Sequence, residues 1–534
     1  MISFLDILTR VYPRVLTQVS RDPNSTTYGC FDRNWWHYKI RDFASIILQQ
    51  GGYFISQVSD LKDFDNHKQQ LDQISIASVY FWARRTLRRG SHEEYYPWED
   101  GYPPLAFSTL AMAKLIEKYE IKDRKINKAL KKSTRKLLNR FEPQAANQQI
   151  AGLAALAVIK RIRPEFINEI KYNKLSASAL ELQDSEGWFV EYGGPDLGYL
   201  SVTLDCLWDL YDYTLDTKYV IAARKAFCFL SKLVMFYNGS LGMHNARNTD
   251  YIVPYGLSRF LNSDIVEEKE KAHTIFNILY NENYVNSIDH FLHAIDDRYW
   301  AHYVGHSIVR AEKILQLFRE KNAISKTIFH ARKIENNFFF KNSGFLLINS
   351  GELKVFINCR KGGIFTVKFN DNYYTDFGWI VKRGKKQYVH HWWSNGYQFD
   401  IRDNSIVVRG KMVLHIETLS NPYYHFILRL ISFFIGRRII SILKKSLIFK
   451  KGKSNYAFER KIDVEKKKIT INDTIFGIRD NDIIEKAPRS SKRHVSSADS
   501  FHPEDFERNQ SFEVNGFSQR LKNKFLTTTN IITP

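Results

Sequence analysis

The sequence predicts an α+β chain of two domains, an N-terminal α/α toroid of helical hairpins over residues 1–325 and a C-terminal antiparallel β-sandwich over residues 335–534. Three observations predict it. Helical periodicity runs to about residue 320, decorated turns recur along it at a near-constant spacing, and beyond residue 335 the apolar period falls to two.

The helical half alternates two kinds of helix. Over 124–141, Ile126, Ala129, Leu130, Leu137, Leu138 and Phe141 form one stripe, while Lys125, Lys128, Lys131, Lys132, Arg135, Lys136 and Arg140 cover the rest. That is a surface helix with a basic outer face. The segments 149–160 (QIAGLAALAVIK) and 199–213 (YLSVTLDCLWDLYDY) are apolar nearly all round and belong in the interior. Each buried helix follows a turn rich in Gly, Pro, Asn and aromatics: WEDGYPP (98–104), PQAANQQ (143–149), EYGGPDLGY (191–199), HNARNTDYIVPYG (244–256) and DDRYWAHYVGH (296–306). With Tyr102, Gln149, Tyr199, Tyr251 and Tyr303 as markers, the spacings are 47, 50, 52 and 52 residues, the length of one helical hairpin. The turn 28–43 is expected to lead into the first inner helix. Inner helices entered from decorated turns place all these turns at one mouth of a ring. Helix N-termini there carry free N–H groups and partial positive charge, which suits an anionic ligand.

In the second half, LKVFINC (353–359), IFTVKFN (364–370), SIVVRGKMVLHIET (405–418) and KKKITIND (466–473) alternate apolar and polar residues between turns, which predicts about 10 to 14 antiparallel strands. A basic insertion at 423–453 breaks this pattern. Within it Ile435, Ile439, Ile440, Ile442 and Leu443 oppose Arg437, Arg438, Lys444 and Lys445. Such a helix over 435–445 either lies in a membrane interface or packs on the sandwich.

Charge narrows the partner. The 534 residues carry a formal net charge of +21, which favours an acidic polysaccharide, an anionic membrane face or nucleic acid. No zinc-finger spacing, RNP-like motif or phosphate-cradling Gly-rich loop is present, so nucleic acid is the least favoured. At 14% aromatic and 44% hydrophobic residues the chain is globular, and disorder is excluded. Its four cysteines form no CxxC pair and no disulfide framework. No apolar run reaches the roughly 18 residues of a spanning helix, and Asp6 and Arg10 interrupt any signal-like run. A cytoplasmic location is expected, peripheral to the inner membrane face through 435–445. No cofactor or metal is expected: His302 and His306 lie one helical turn apart but have no evident third ligand.

Helical ring, aromatic turns and sandwich, in that order, resemble the heparinase II/III-like polysaccharide lyases. The resemblance is most specific in EGWFVEYGGPDLGYLSVTLDCLWDL (186–210), where an acidic-Gly turn precedes a helix-opening Tyr, and in AFERKIDVEKKKITINDTI (457–475), which looks like the family's sandwich strand pair. It implies β-elimination on uronic-acid polymers, in surface-polysaccharide metabolism. It also implies Asn147 as the carboxylate neutraliser, Tyr199 as the base or acid, and His244 or His391 completing the set.

The chemistry asks for these types. Removing the proton at C5 beside a uronate carboxylate builds a dianion, so an amide or cation must first neutralise that carboxylate. A Tyr can take the proton and return one to the leaving oxygen when a cation favours its phenolate. Arg247, on the turn after that of Tyr199, supplies such a cation. Saccharide contacts are expected from Trp98, Tyr102, Gln148, Tyr192, Asn248 and Tyr251 on the turns. Trp392 and Trp393, beside His390 and His391 in an inter-strand loop, are expected to add contacts from the sandwich side. Three alternatives remain. A uronate C5-epimerase shares the proton abstraction. A glycoside hydrolase would draw two carboxylates from Glu99, Asp100, Glu191, Asp196 and Asp250, and a non-catalytic polysaccharide binder at the membrane needs neither.

Overall fold

The computed structural model describes residues 2–281, 285, 290–322, 337–350, 353–369, 372–415, 421–435, 454–491, 513–522 and 525–533. Six inner elements, Gln50–Val58, Tyr102–Lys118, Ala146–Ile162, Leu197–Thr214, the short Tyr255–Ser258 and Tyr303–Asn322, each pack on the next. The last packs back on the first, so the ring closes. Outer helices Lys68–Arg85, Arg124–Leu138, Glu169–Leu180, Thr217–Tyr237 and Val266–Tyr280 wrap it, and Leu5–Gln18 completes the layer with Ile7, Leu8, Val11 and Val15 buried.

Local sequence explains the division. In Ala146–Ile162 the first fourteen residues are all buried, because the run of Ala, Leu, Ile and Val has no polar face. In Arg124–Leu138 only Ile126, Ala129, Leu130, Ser133, Thr134, Leu137 and Leu138 are buried, and the Asp123 carboxylate caps the helix by accepting from the Lys125 and Ile126 amides. Pro103 and Pro104 occupy the first turn of Tyr102–Lys118, where no amide donor is lost. The sequence places the first inner helix directly after the 28–43 turn. The structure opens it later, through a 3₁₀ turn at Ile46–Gln49.

Fifteen strands, among the described residues, form three antiparallel sheets of five, four and six strands. The five-stranded sheet, from Phe338–Phe340 to Asn372–Asp376, is the middle layer. Phe345, Leu347 and Phe356 on one face join the toroid core, while Leu346, Ile348, Val355 and Ile357 on the other pack with Ile406, Val408, Ile462 and Ile471 of the six-stranded sheet. Strands buried on both faces read as near-continuous apolar runs, so this sheet shows weaker alternation than Ala457–Val464 and Ile469–Phe476. The sandwich core also buries an ionic network. Arg460 pairs with Asp376 and Asp473, Lys486 joins Asp376 at 2.8 Å, and Trp379 Nε1 donates to Asp473 at 2.7 Å.

The insertion is described only in part. The described helix is Pro422–Ile435, upstream of the expected 435–445, and residues 436–453 lie outside the described residues. Among the described residues no helix is long and apolar enough to cross a membrane.

Candidate functional site

The turns entering the inner helices meet at one mouth, and they are bonded to one another. The Ala146 amide donates to Val190 O at 3.0 Å, and Ala246 N to Pro195 O at 3.0 Å. The Asp196 carboxylate caps Leu197–Thr214 by accepting from Tyr199 N at 3.2 Å, and its other oxygen takes the Arg247 amide at 3.1 Å. Gly198 makes this approach possible, since a Cβ there would lie 2.5 Å from Tyr251 O. One carboxylate thus caps the helix that presents Tyr199 and fixes the turn that carries Arg247.

At the centre stand Asn147, Glu191, Tyr199 and Arg247, all buried. Glu191 accepts from Asn147 Nδ2 at 2.5 Å through one oxygen and from Arg247 Nη1 at 2.6 Å through the other. The Arg247 guanidinium lies 4.2 Å above the centroid of the Tyr199 ring and 4.9 Å from that of Tyr192. Burial opposes the Arg247 cation, but Tyr199 and Glu191 outweigh it and hold its pKa well above that of an ordinary guanidinium. Burial lifts the Tyr192 phenol, against the pull of Arg247. The Tyr199 ring meets Tyr303 edge-on, with centroids 6.5 Å apart, and Tyr303 OH lies 3.4 Å from Tyr251 OH. Excluding water strengthens each of these electrostatic contacts.

The residues Asn147, Tyr199, Arg247 and Tyr192, expected from the sequence, therefore share one place. Glu191 stands out only in the structure, since by sequence it is one acid among five. The other acids of that group have structural partners. Glu99 accepts from the Glu94 and Tyr95 amides, Asp100 pairs with Lys136 and Arg140, and Asp196 is the cap already described. Asp250 lines a different cleft.

The histidines and several aromatics stand elsewhere. His244 lies 2.7 Å from Thr366 Oγ1, packs edge-on against Phe356, and lines a cleft of about 480 Å³ between the toroid and the five-stranded sheet. Asn147, Tyr199 and Arg247 are not in the wall of that cleft. The string 244–249 is buried because the sandwich satisfies it. Asn358 Nδ2 donates to His244 O at 2.7 Å, and Lys361 Nζ reaches Met243 O at 2.5 Å, Asn245 O at 2.8 Å, Ser490 Oγ at 3.0 Å and the Asn248 side chain. Asn248 Nδ2 donates to Ser490 O at 3.2 Å. His391 is fully buried, accepts from Ser491 N at 2.7 Å, and burial pushes it down to about 3, with Lys361 adding to the shift. It is a neutral interior group at physiological pH. His390 accepts from Trp379 N at 2.9 Å and lies 3.1 Å from Gly362 O.

Trp392 packs with Ile364, Phe377 and Val389, which corrects the expectation that it faces a sugar. Trp393 is likewise interior. Its Nε1 donates to Gly193 O at 3.1 Å, and its ring covers Gly194 so closely that a Cβ there would stand 2.2 Å from it. It braces the Glu191 turn against the sandwich. Tyr102 is buried beneath Arg140, 5.2 Å away, with Gly152 against its hydroxyl, and Tyr251 stacks on Phe291 at 5.2 Å. Neither presents an open platform. Gln148 is buried beside Asn147, and Trp98 alone of the expected aromatic contacts is exposed, at 45%. His302 and His306 are buried, and burial pushes His302 down to about 3. Among the described residues no third ligand joins them.

Nothing in the sequence marks Lys361 as a site-builder, since a lysine between strands reads as solvated. Lys361→Met should lower stability by about 1–3 kcal/mol for each buried acceptor left unpaired. Urea denaturation of native and variant chains measures this.

Glu94 and Glu99 sit on the neighbouring turn, both buried. Burial, with the Glu99 charge next, pushes Glu94 up to about 8, so it is protonated at neutral pH. A carboxyl raised above its unfolded value contributes stability that is complete at low pH and is lost as pH rises through the folded value. Between about pH 5 and 8 the unfolding free energy should thus fall by up to about 1.4 kcal/mol per pH unit from this group. Glu94→Gln should flatten that slope in urea titrations at several pH values.

No protein-family model matches the chain, and no curated protein does. Solved structures do. The chondroitin AC lyase of Streptomyces coelicolor A3, in complex with chondroitin sulphate, superposes with a TM-score of 0.55 at 8% identity, over 99% of this chain and 77% of that one. Heparinase III aligns with a TM-score of 0.44 at 11% identity, over 91% and 74%. The likeness to the chondroitin AC lyase establishes the fold, a helical toroid followed by antiparallel sheets as in that polysaccharide lyase.

Proposed function

We propose that the chain is a lyase-type enzyme that cleaves an acidic, uronic-acid-containing polysaccharide by β-elimination. The observation that carries this reading is the Arg247 guanidinium stacked 4.2 Å over the Tyr199 ring, with the Asn147 amide held on the same Glu191 carboxylate. A cation in van der Waals contact with a phenol favours its phenolate. Tyr199 then removes the C5 proton, the C4–O bond breaks as the C4–C5 double bond forms, and the Tyr199 hydroxyl returns that proton to the leaving oxygen. Asn147 and Arg247 neutralise the uronate carboxylate as charge builds on it.

Glu191 holds these two groups in register in the free protein, and the incoming carboxylate takes its place on them. His244 and His391 have no part in this reading, because each has a sandwich partner of its own. The basic surface draws the polyanion to the mouth. The fold likeness to an enzyme crystallised with chondroitin sulphate supports that substrate class. Incubation with a panel of uronic-acid polymers, chondroitin sulphate among them, tests it. The expected result is ultraviolet absorbance from an unsaturated uronate, and shorter chains without that absorbance would favour hydrolysis.

A further inference from the structure

The Pro422–Ile435 helix turns an apolar stripe to solvent. Tyr423, Phe426, Ile427, Leu430, Phe433 and Phe434 lie on it at helical spacing, with Phe434 79% and Phe426 65% exposed. His425, Leu428 and Ser432 form the inner side. The helix is tied to the toroid mouth: Arg429 makes a two-point ion pair with Asp42 at 2.8 and 3.0 Å, His425 packs on Tyr96, and Phe433 meets Trp98 edge-on at 5.5 Å. Soluble monomers rarely expose so continuous an apolar surface.

We propose that this helix docks the chain on an anionic bilayer, holding the toroid mouth beside the lipid headgroups. At fourteen residues it is about 21 Å long, too short to span but suited to lie in the interface. Its Tyr rings have the amphipathic character of interfacial anchors, and its Phe rings add apolar area. Charge complementarity selects the lipid. By sequence, 423–453 contains Arg429, Arg437, Arg438, Lys444, Lys445, Lys450, Lys451 and Lys453 and no Asp or Glu. A second copy of the chain would bring two net charges of +21 together. An anionic headgroup layer accepts both the rings and the charge.

The test is sedimentation of the full chain with vesicles. The native chain should pellet with mixed phosphatidylglycerol–phosphatidylcholine vesicles and remain in solution with phosphatidylcholine alone. Phe426→Ser, Phe433→Ser and Phe434→Ser together should reduce partitioning at least about tenfold, since each ring leaves the interface. Their exposure means the fold survives, which circular dichroism checks. Lys125→Glu, Lys128→Glu and Arg135→Glu, on the outer toroid face, should leave pelleting unchanged. Three results would overturn the proposal: no pelleting of the native chain, equal pelleting of the ring variant, or loss of pelleting in the outer-face variant. A vesicle-inert native dimer that the ring variant dissociates would assign the stripe to self-association instead. Turnover of soluble oligosaccharide does not depend on any of these outcomes, so this proposal and the lyase reading fail separately.

Discussion

Tyr199→Phe is expected to fold and to bind acidic oligosaccharide like the native chain, while turnover falls by about a hundred- to ten-thousand-fold, the usual loss of a general acid or base. The phenylalanine ring keeps the stacking under Arg247 and the edge contact with Tyr303, so packing has little to lose. What disappears is the oxygen proposed to carry the proton. Steady-state rates on the best polymer of the panel, alongside equilibrium binding of a short oligosaccharide, separate the two effects. A variant that turns over normally would remove Tyr199 from the chemistry. Glu94, the protonated carboxyl on the adjacent turn, would then lead.

The second large effect is at Glu191. Glu191→Ala leaves the Arg247 guanidinium buried without its carboxylate, and losing one partner of a buried pair costs about 3–5 kcal/mol. Urea unfolding should show that loss. Glu191→Gln keeps the volume and an acceptor for Arg247 and should be far milder. It also removes the negative charge that competes with a substrate carboxylate for Asn147 and Arg247. Oligosaccharide affinity should therefore rise about tenfold, the scale of one charge interaction of 1–2 kcal/mol in a partly screened site. The sign of the pH effect follows too. A negative neighbour disfavours the phenolate and Arg247 favours it, so removing Glu191 should move the activity profile to lower pH. Unchanged affinity in Glu191→Gln would mean that the substrate carboxylate binds elsewhere.

The toroid is legible in the sequence because its signal is local: each turn precedes its helix, and the 47–52 residue spacing repeats the hairpin. That register sets Asn147, Tyr199 and Arg247 on successive turns, and the resemblance to the lyases singles out Asn147 and Tyr199 among them. Several of the residues whose places differ from expectation depend on distant partners, more than a hundred positions away for His244 and Trp393. The string 244–249 is too polar for an apolar core and so reads as ligand-facing. It is interior because Asn358, Lys361, Thr366 and Ser490 meet it from the sandwich. Trp392 and Trp393 read as platforms in a loop, but that loop folds inward, and Trp393 spends its indole N–H on Gly193. The pairing of Glu191 with Asn147 and Arg247 spans 44 and 56 residues and leaves no local trace. The apolar stripe of the insertion falls in Pro422–Ile435, while most of the cations that mark the insertion lie downstream.

The mass of the products formed in heavy-oxygen water separates elimination from hydrolysis. β-Elimination breaks the C4–O bond without consuming water. The expected products are an unsaturated chain one water lighter than its saturated counterpart and a new reducing end formed from the original glycosidic oxygen, with no heavy oxygen in either before that hemiacetal exchanges with solvent. A product that gains a full water and carries the label would mean hydrolysis, and would contradict an elimination carried out by Tyr199, Asn147 and Arg247.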